Sequence, residues 1–222
     1  MNLVKRFLIA LQFLTIIPVN IKGKISEEDF GRSLVYFPIV GLLLGLFLAL
    51  IAFIAGPLPP LVRGSLILIA WIIITGGIHL DGFADTCDGF YGKRSREDIL
   101  KIMRDSRIGA MGATGLTALL LLKFAVLSSV AQEDLLKILI TTAVFARWSQ
   151  VLACVISKYA RDEGKAKYFV EYASGGACAA GTLFTLILFW LVMSIKGVIL
   201  FALLSAAMFL FIKCIQLSLI HI

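Results

Sequence analysis

The feature that most constrains this chain is a series of apolar stretches, each about as long as a membrane is thick. They cover approximately residues 33–55, 61–80, 109–131, 135–157, 176–195 and 197–212. An α-helix needs about 20 apolar residues to cross the hydrocarbon core of a bilayer. Because the 222 residues are 60% hydrophobic and only 16% charged, a soluble or disordered chain is excluded. The sequence therefore predicts an all-α, polytopic membrane helical bundle of about six spans, as one domain over residues 1–222.

A shorter apolar run over residues 3–19 begins with Lys5 and Arg6 and stops at Pro18. Because no small-residue cleavage site follows, we interpret it as an interfacial helix, with an uncleaved anchor as the alternative.

Cationic residues indicate how the chain is oriented in the membrane. The net charge is +7, from 21 Lys and Arg against 14 Asp and Glu. Fifteen of the 21 lie before the first long stretch or in the polar loops 81–108 and 158–175. By the positive-inside rule, both loops and both termini are expected on the cytoplasmic side of a prokaryotic inner membrane. The excess charge then serves orientation and contact with anionic lipid, and no nucleic-acid partner is expected.

Acidic residues concentrate in the segment G-G-I-H-L-D-G-F-A-D-T-C-D-G-F-Y-G, residues 76–92. Asp81, Asp85 and Asp88 are spaced i, i+4, i+7, within about 60° on one face of a helix continuing from the second stretch. Neighbouring carboxylates there repel by roughly 3 kcal/mol, which a divalent cation reverses. The pattern predicts a site for Mg²⁺, or Mn²⁺, on these three aspartates. Because Asp81 and Asp88 are ~10 Å apart along the axis, the site suits two ions or one ion with a bridging phosphate. A solvated acidic loop is the alternative.

Several residues near this segment are candidate substrate or phosphate ligands. Arginine pairs bidentately with phosphate, and glycine allows a ligand to approach the backbone closely. Arg147 lies within an apolar stretch, where a charge usually faces a polar interior; Lys123 either does the same or extends to the membrane surface. His79 is either a direct ligand or a supporting hydrogen-bond partner, and the arginines of the loop either bind phosphate or only anchor it. The candidates are Gly76, Gly77, His79, Arg104, Asp105, Arg107 and Arg147.

These segments together resemble the cobalamin synthase family, the adenosylcobinamide-GDP ribazoletransferases. Residues 76–92 and 102–112 are similar to the two signature stretches of the family. Further similar motifs are L-T-I-I-P at 14–18, F-P-I-V-G-L-L-L-G at 37–45, R-W at 147–148 and Y-A-R-D-E-G at 159–164. The resemblance covers about residues 3 to 180. It fades near Lys213, where the family continues with a further segment, which predicts that this chain is truncated at its C-terminus.

The resemblance implies a membrane-bound, magnesium-dependent phosphotransferase of late cobalamin biosynthesis. A ribose hydroxyl of α-ribazole, or of its 5′-phosphate, attacks the cobinamide-linked phosphoryl group of adenosylcobinamide-GDP, and GMP leaves. Asp81, Asp85 and Asp88 are then catalytic and metal-binding, with Asp85 accepting the proton of the hydroxyl. Arg104, Arg107 and Arg161 would hold phosphate oxygens. The partners are these small molecules and the bilayer, and a homo-oligomer is compatible with the pattern.

Two other functions fit part of the pattern. The D-G-x-x-A-D-x-x-D-G arrangement at 81–89 is similar to the aspartate cluster of CDP-alcohol lipid phosphotransferases, although its spacing differs from theirs. A transporter with an acidic vestibule is the less favoured alternative, because transporters place such carboxylates near the bilayer midplane.

Overall fold

In the computed structural model, which describes residues 2–92, 95–160, 164 and 166–221, every regular element is a helix. The α-helices are α1 (Asn2–Leu14), α2 (Glu27–Ser33), α3 (Phe37–Ile54), α4 (Pro60–Thr75), α5 (Ile78–Phe90), α6 (Arg96–Ile102), α7 (Ala110–Ser129), α8 (Gln132–Ile156), α9 (Lys167–Glu171) and α10 (Gly175–His221). Within the described residues, four helical segments are long and apolar enough to cross a membrane, or five if the bent pair α4–α5 counts as one span. The predicted all-α membrane bundle is thus confirmed.

Helices α3 and α8 form the central pair of the bundle. A Cβ atom on Gly41 would lie 2.8 Å from the carbonyl oxygen of Ala143, and one on Gly45 would lie 2.7 Å from the Cα of Ile140. Small residues four apart allow the backbones of membrane helices to approach closely, which compensates for the absence of a hydrophobic driving force in lipid. The two glycines of the 37–45 motif therefore set the spacing of the central pair.

The second apolar stretch is broken, which corrects the prediction that the acidic residues lie on a helix continuing from it. The axes of α4 and α5 differ by 91°. Gly76 and Gly77 make this bend with φ angles of 61° and 66°, in the left-handed region that glycine enters without a steric penalty. The acidic segment therefore forms a separate helix, at about a right angle to α4.

The last two apolar stretches form one helical element with a break at Ser194, where φ is 54° and ψ is −142°. Before the break, the hydroxyl of Thr182 accepts a hydrogen bond from Nε1 of Trp148 at 2.8 Å, midway along α8. After the break, Nε2 of Gln216 donates to the carbonyl oxygen of Ile156 at 3.0 Å, at the end of α8. Phe201, also after the break, packs against Trp148, so the second half of α10 runs back along α8 and is antiparallel to the first half.

The N-terminal helix α1, predicted to be interfacial, packs one face against the protein. On α2, the carboxylate of Asp29 pairs with Nζ of Lys5 at 2.5 Å and with Nε of Arg6 at 3.4 Å. Beyond the end of α1, the backbone N–H of Ile16 donates to the carbonyl oxygen of Ile74 at 2.9 Å. These contacts hold the N-terminal segment against the end of α4, directly beside the glycine bend.

Candidate active site

Helix α5 carries the three aspartates on one face. Asp81 is exposed in its first turn, and Asp85 and Asp88 are half-buried. The N-terminal end of a helix favours an anion such as Asp81, because unpaired backbone N–H groups point outward there. Within the described part of the chain, no three metal-binding side chains lie close enough to hold one ion. The site on all three aspartates therefore stays a prediction.

Asp88 is bound to the N-terminus of α7. Its Oδ2 accepts the backbone N–H of Gly109, and its Oδ1 accepts that of Gly112, both at 2.8 Å. The first N–H groups of a helix have no acceptor within the helix, and a carboxylate there is further stabilised by the helix dipole. Asp88, which lies more than 20 positions earlier in the chain, therefore caps α7. The contact fixes the acidic helix α5 against α7.

Three glycines at the start of α7, of which Gly109 is the N-cap residue, make this contact close. A Cβ on Gly109 or Gly112 would overlap the carboxylate of Asp88, and one on Gly115 would lie 2.5 Å from the Sγ of Cys87. They are spaced i, i+3, i+6, so they form one smooth stripe along the first two turns of α7. The glycines of the 102–112 segment are therefore packing residues that let α5 and α7 touch.

A groove of about 720 Å³ opens beside this contact. Its walls include Asp88 and the first turn of α7, where the N–H groups of Ala110 and Met111 lie ahead of the helix's own hydrogen bonds. Asp105 and Arg107 also line the groove. The groove thus combines two carboxylates, a guanidinium and a helix N-terminus, which together suit a phosphate ester next to a bound cation.

Arg107 is paired within its own loop. Its Nη2 donates to Oδ2 of Asp105 at 2.7 Å and its Nε donates to Oδ1 at 3.1 Å. These hydrogen bonds, with the backbone N–H of Arg107, lower the pKa of Asp105 to about 2 and raise the pKa of Arg107. Both groups are therefore charged at neutral pH. Because the Arg107 side chain is 86% exposed, it can exchange this partner for a phosphate group at little cost.

His79 and Arg147 lie in a different cavity, of about 180 Å³, lined by residues of α4, α5, α7 and α8. Lys123 and Gln150 also line it. Sequence reasoning missed Gln150, although it follows Arg147 by three residues and so occupies the same helix face. The structure therefore divides the predicted phosphate ligands between two places.

Three other predicted ligands lie outside both cavities. Gly76 and Gly77 form the bend, and Arg104 is exposed on the loop before α7. Arg161 lies outside the described residues. The substrate-binding roles of these residues stay predictions.

The fold and the site define a class: a helical membrane protein whose acidic helix meets a groove with the groups that suit a phosphate ester. The chain matches the family model described as cobalamin-5-phosphate synthase over residues 6–220. The chain belongs to this family.

Curated relatives agree with the family match. The chain is 40% identical to the adenosylcobinamide-GDP ribazoletransferase of Geotalea daltonii over 197 residues, covering 88% of this chain and 79% of the relative. It is also 40% identical to the enzyme of that name from Acetivibrio thermocellus over 204 residues, covering 91% and 82%. For the one from Roseiflexus sp. the identity is 43% over 195 residues, covering 87% and 72%. No solved structure matches the chain.

Proposed function

We propose that this protein joins adenosylcobinamide-GDP to α-ribazole, or to α-ribazole 5′-phosphate, and releases GMP in late cobalamin biosynthesis. A ribose hydroxyl attacks the phosphorus linked to cobinamide, the bond from that phosphorus to the GMP oxygen breaks, and the hydroxyl proton passes to a base. The names of the curated relatives support this substrate pair. Family membership also favours this reaction over lipid synthesis from CDP-alcohols and over transport.

One structural observation carries the proposal: Asp88 holds the acidic face of α5 against the N-terminus of α7. Its two hydrogen bonds to Gly109 and Gly112 place a carboxylate-rich helix beside a helix end that binds anions. A diphosphate in the groove of about 720 Å³, which Asp88 lines, would then lie beside the acidic helix and against the N-terminus of α7 and Arg107. A pocket of that volume accommodates a drug-sized portion of a substrate.

The donor set fits Mg²⁺ held by two of the aspartates. Each carboxylate oxygen of Asp88 accepts one backbone N–H of α7. Asp81 and Asp85 lie one helical turn apart on the same face of α5, so their carboxylates are neighbours. Magnesium is commonly held by one or two carboxylates plus substrate phosphates and water. We therefore assign Asp81 and Asp85 as its ligands and Asp88 as a positioning residue. When bound, the ion offsets the negative charge that develops on the leaving GMP.

The chain's own residues supply the other functions. The free N–H groups at the start of α7 and the guanidinium of Arg107 hold phosphate oxygens and orient the phosphorus. Asp85, midway along the acidic face, accepts the proton of the attacking hydroxyl. Arg104 is close enough in sequence to guide the substrate toward the groove. Each of these groups lies at one end of the bundle.

We place this end of the bundle on the cytoplasmic side of the inner membrane, with both termini. Two hydrogen bonds lie at this end. One joins Ile16, after α1, to Ile74 beside the glycine bend, and the other joins Gln216 to Ile156 at the end of α8. At the other end, Nε2 of Gln132 donates to the carbonyl oxygen of Ala52 at 3.1 Å, and Nη2 of Arg63 donates to that of Val130 at 3.5 Å. The cation-rich loops belong to the first end, in agreement with the positive-inside rule.

The decisive experiment uses the purified full chain in lipid nanodiscs with adenosylcobinamide-GDP, α-ribazole and Mg²⁺. Release of GMP and formation of the joined corrinoid should proceed in equal amounts. Asp81→Asn and Asp85→Asn should lower kcat by about a hundredfold or more, because removing charge stabilisation in the transition state costs at least ~2.7 kcal/mol.

Glu97→Gln is the matched control, since Glu97 is exposed on α6 and does not line the groove. It should keep the wild-type rate. Near-normal rates of both aspartate variants at limiting Mg²⁺ would refute the metal assignment. Activity on CDP-alcohols without a corrinoid product would refute the substrate assignment.

A further inference from the structure

The cavity between α4, α5, α7 and α8 has an unusual lining for a membrane interior. It contains the guanidinium of Arg147 and the ammonium of Lys123 from two different helices, together with His79 and Gln150. Within the part of the chain that the structure describes, no carboxylate lines it. Two cations therefore face the same small space inside the apolar bundle, where a charge is normally paired.

The polar atoms of this cavity are only partly satisfied. Arg147 is 4% exposed, and its Nε has no hydrogen-bond partner among the described residues. Oε1 of Gln150 is likewise buried without a partner there, while its Nε2 lies 3.2 Å from Nε2 of His79. Buried polar groups in native proteins are nearly always hydrogen-bonded, so each exception calls for an unseen partner.

Lys123 is held in place by an aromatic ring. Its Nζ lies 4.5 Å from the ring centre of Trp71, in the geometry of a cation–π contact. The ring offsets part of the charge without occupying the hydrogen-bond donors of the ammonium group. The lysine therefore keeps its donors available to a group in the cavity.

We propose that this cavity is an anion-binding site that takes one phosphate-sized oxyanion. An oxyanion accepts hydrogen bonds from a guanidinium in a bidentate fashion and from an ammonium as a point charge. It neutralises these two cations, neither of which forms an ion pair with a carboxylate among the described residues. A volume of about 180 Å³ admits a phosphate group with a few waters but is below the size of sites for drug-sized ligands. The oxyanion is the phosphate of either a soluble ester or a phospholipid headgroup.

This site is separate from the groove at the start of α7. Lys123 follows Gly112 by 11 residues, which corresponds to about 16 Å along the helix axis. The anion site also does not depend on the transferase reaction, since it is defined by binding alone. It is a second anion-binding site beside the one proposed at the end of the bundle.

The test measures phosphate binding by the full chain purified in a neutral sugar detergent with EDTA, so that no Mg²⁺ takes part. Inorganic phosphate should raise the melting temperature in a saturable way that chloride at equal ionic strength does not reproduce. In Lys123→Met, an apolar residue of similar length removes the charge. We expect the apparent Kd for phosphate to rise about tenfold or more, as for loss of one charge-assisted hydrogen bond. Arg147→Gln should have at least the same effect.

Two control variants locate the binding. Lys137→Gln removes an exposed lysine at the start of α8 and should leave the phosphate response unchanged. Arg32→Gln removes an exposed arginine of α2, which lines neither cavity, and should also leave the phosphate response unchanged. If Arg147→Gln fails to insert, Lys123→Met still decides the outcome. An equal phosphate response in wild type and Lys123→Met would overturn the proposal.

A second arm distinguishes the source of the phosphate. Native mass spectrometry counts the phospholipids that stay bound after extensive detergent washing. Loss of one retained lipid in Lys123→Met and Arg147→Gln, but not in Lys137→Gln, identifies a headgroup as the occupant. A phosphate response without such a difference identifies a soluble phosphate ester. Equal lipid retention together with no phosphate response in the wild type would refute the anion site.

Discussion

The carboxylate of Asp88 accepts the backbone N–H of Gly112 at 2.8 Å, and this bond joins the acidic helix α5 to the first turn of α7. The sequence predicts a metal site of two ions, or of one ion with a bridging phosphate, on Asp81, Asp85 and Asp88, and this stays a prediction. The structure gives Asp88 a partner on another helix. Its effect on catalysis is then indirect, because it fixes the position of the two other aspartates relative to the groove.

Asp88→Asn should destabilise the protein as well as lower its activity. An amide has one oxygen acceptor, so its NH₂ group would face one of the two N–H donors of α7. We expect a loss of about 2 kcal/mol, the upper range for removal of a helix cap. Thermal unfolding in detergent measures this loss. Asp134→Asn, in an exposed ion pair at the other end of the bundle, is the control and should change stability little. Unchanged stability of Asp88→Asn would contradict the capping role.

Gly112→Ala and Gly82→Ala should have opposite effects. A Cβ on Gly112 would lie 2.9 Å from the carbonyl oxygen of Ala84 and would overlap the Asp88 carboxylate. The helices must then separate, which costs about 1–3 kcal/mol as for overpacking of a core. A Cβ on Gly82 of α5 meets nothing within 4 Å, so alanine there should gain up to about 1 kcal/mol from helix propensity. Melting temperatures of the two variants, measured side by side, test this difference. Equal destabilisation of the two variants would show that the close contact between α5 and α7 does not determine the cost of adding a Cβ at Gly112.

The bend between α4 and α5 should tolerate asparagine better than alanine. Gly77 has a φ of 66°, and a Cβ added there meets nothing within 4 Å. Only the backbone conformation therefore opposes substitution. Gly77→Ala should cost about 1–2 kcal/mol and Gly77→Asn less, since asparagine enters the left-handed region more readily. The kcat values of Gly77→Ala and Gly77→Asn relative to wild type report whether the bend also orients Asp81, four residues later. Identical behaviour of the two variants would exclude the conformational explanation.

How far the sequence predicts this structure depends on how far apart the interacting residues lie along the chain. The shared face of Asp81, Asp85 and Asp88 follows from local helix geometry alone. The bend at Gly76 could have been suspected from the paired glycines, because two adjacent glycines weaken a helix. The contact of Asp88 with Gly109 joins residues 21 positions apart and depends on how two helices pack. No local pattern encodes it.

The intramembrane cavity shows the same limit. The sequence predicts that Arg147 faces a polar interior, because a charge in an apolar stretch raises the free energy if it faces lipid. For Lys123 the sequence allows two positions, in the polar interior or at the membrane surface, since a lysine can extend to that surface. Its position over Trp71, and the joint lining with Gln150, depend on four helices meeting. Composition and spacing identify such charges, but tertiary packing decides which of them share one space.

Asp105→Asn and Arg107→Gln should change the KM for adenosylcobinamide-GDP in opposite directions. Because hydrogen bonds from Arg107 lower the pKa of Asp105 to about 2, from an ordinary value of 3.8, the pair stabilises the loop above pH 3.8 and loses this effect as the pH falls through 2. The pair should therefore add no inflection to the rate between pH 5 and 9. Asp105→Asn frees Arg107 for phosphate and should lower the KM a few-fold, whereas Arg107→Gln should raise it about tenfold. Steady-state kinetics across this pH range measure both effects. A higher KM for Asp105→Asn would mean that the carboxylate orients Arg107 toward the substrate rather than competing with it.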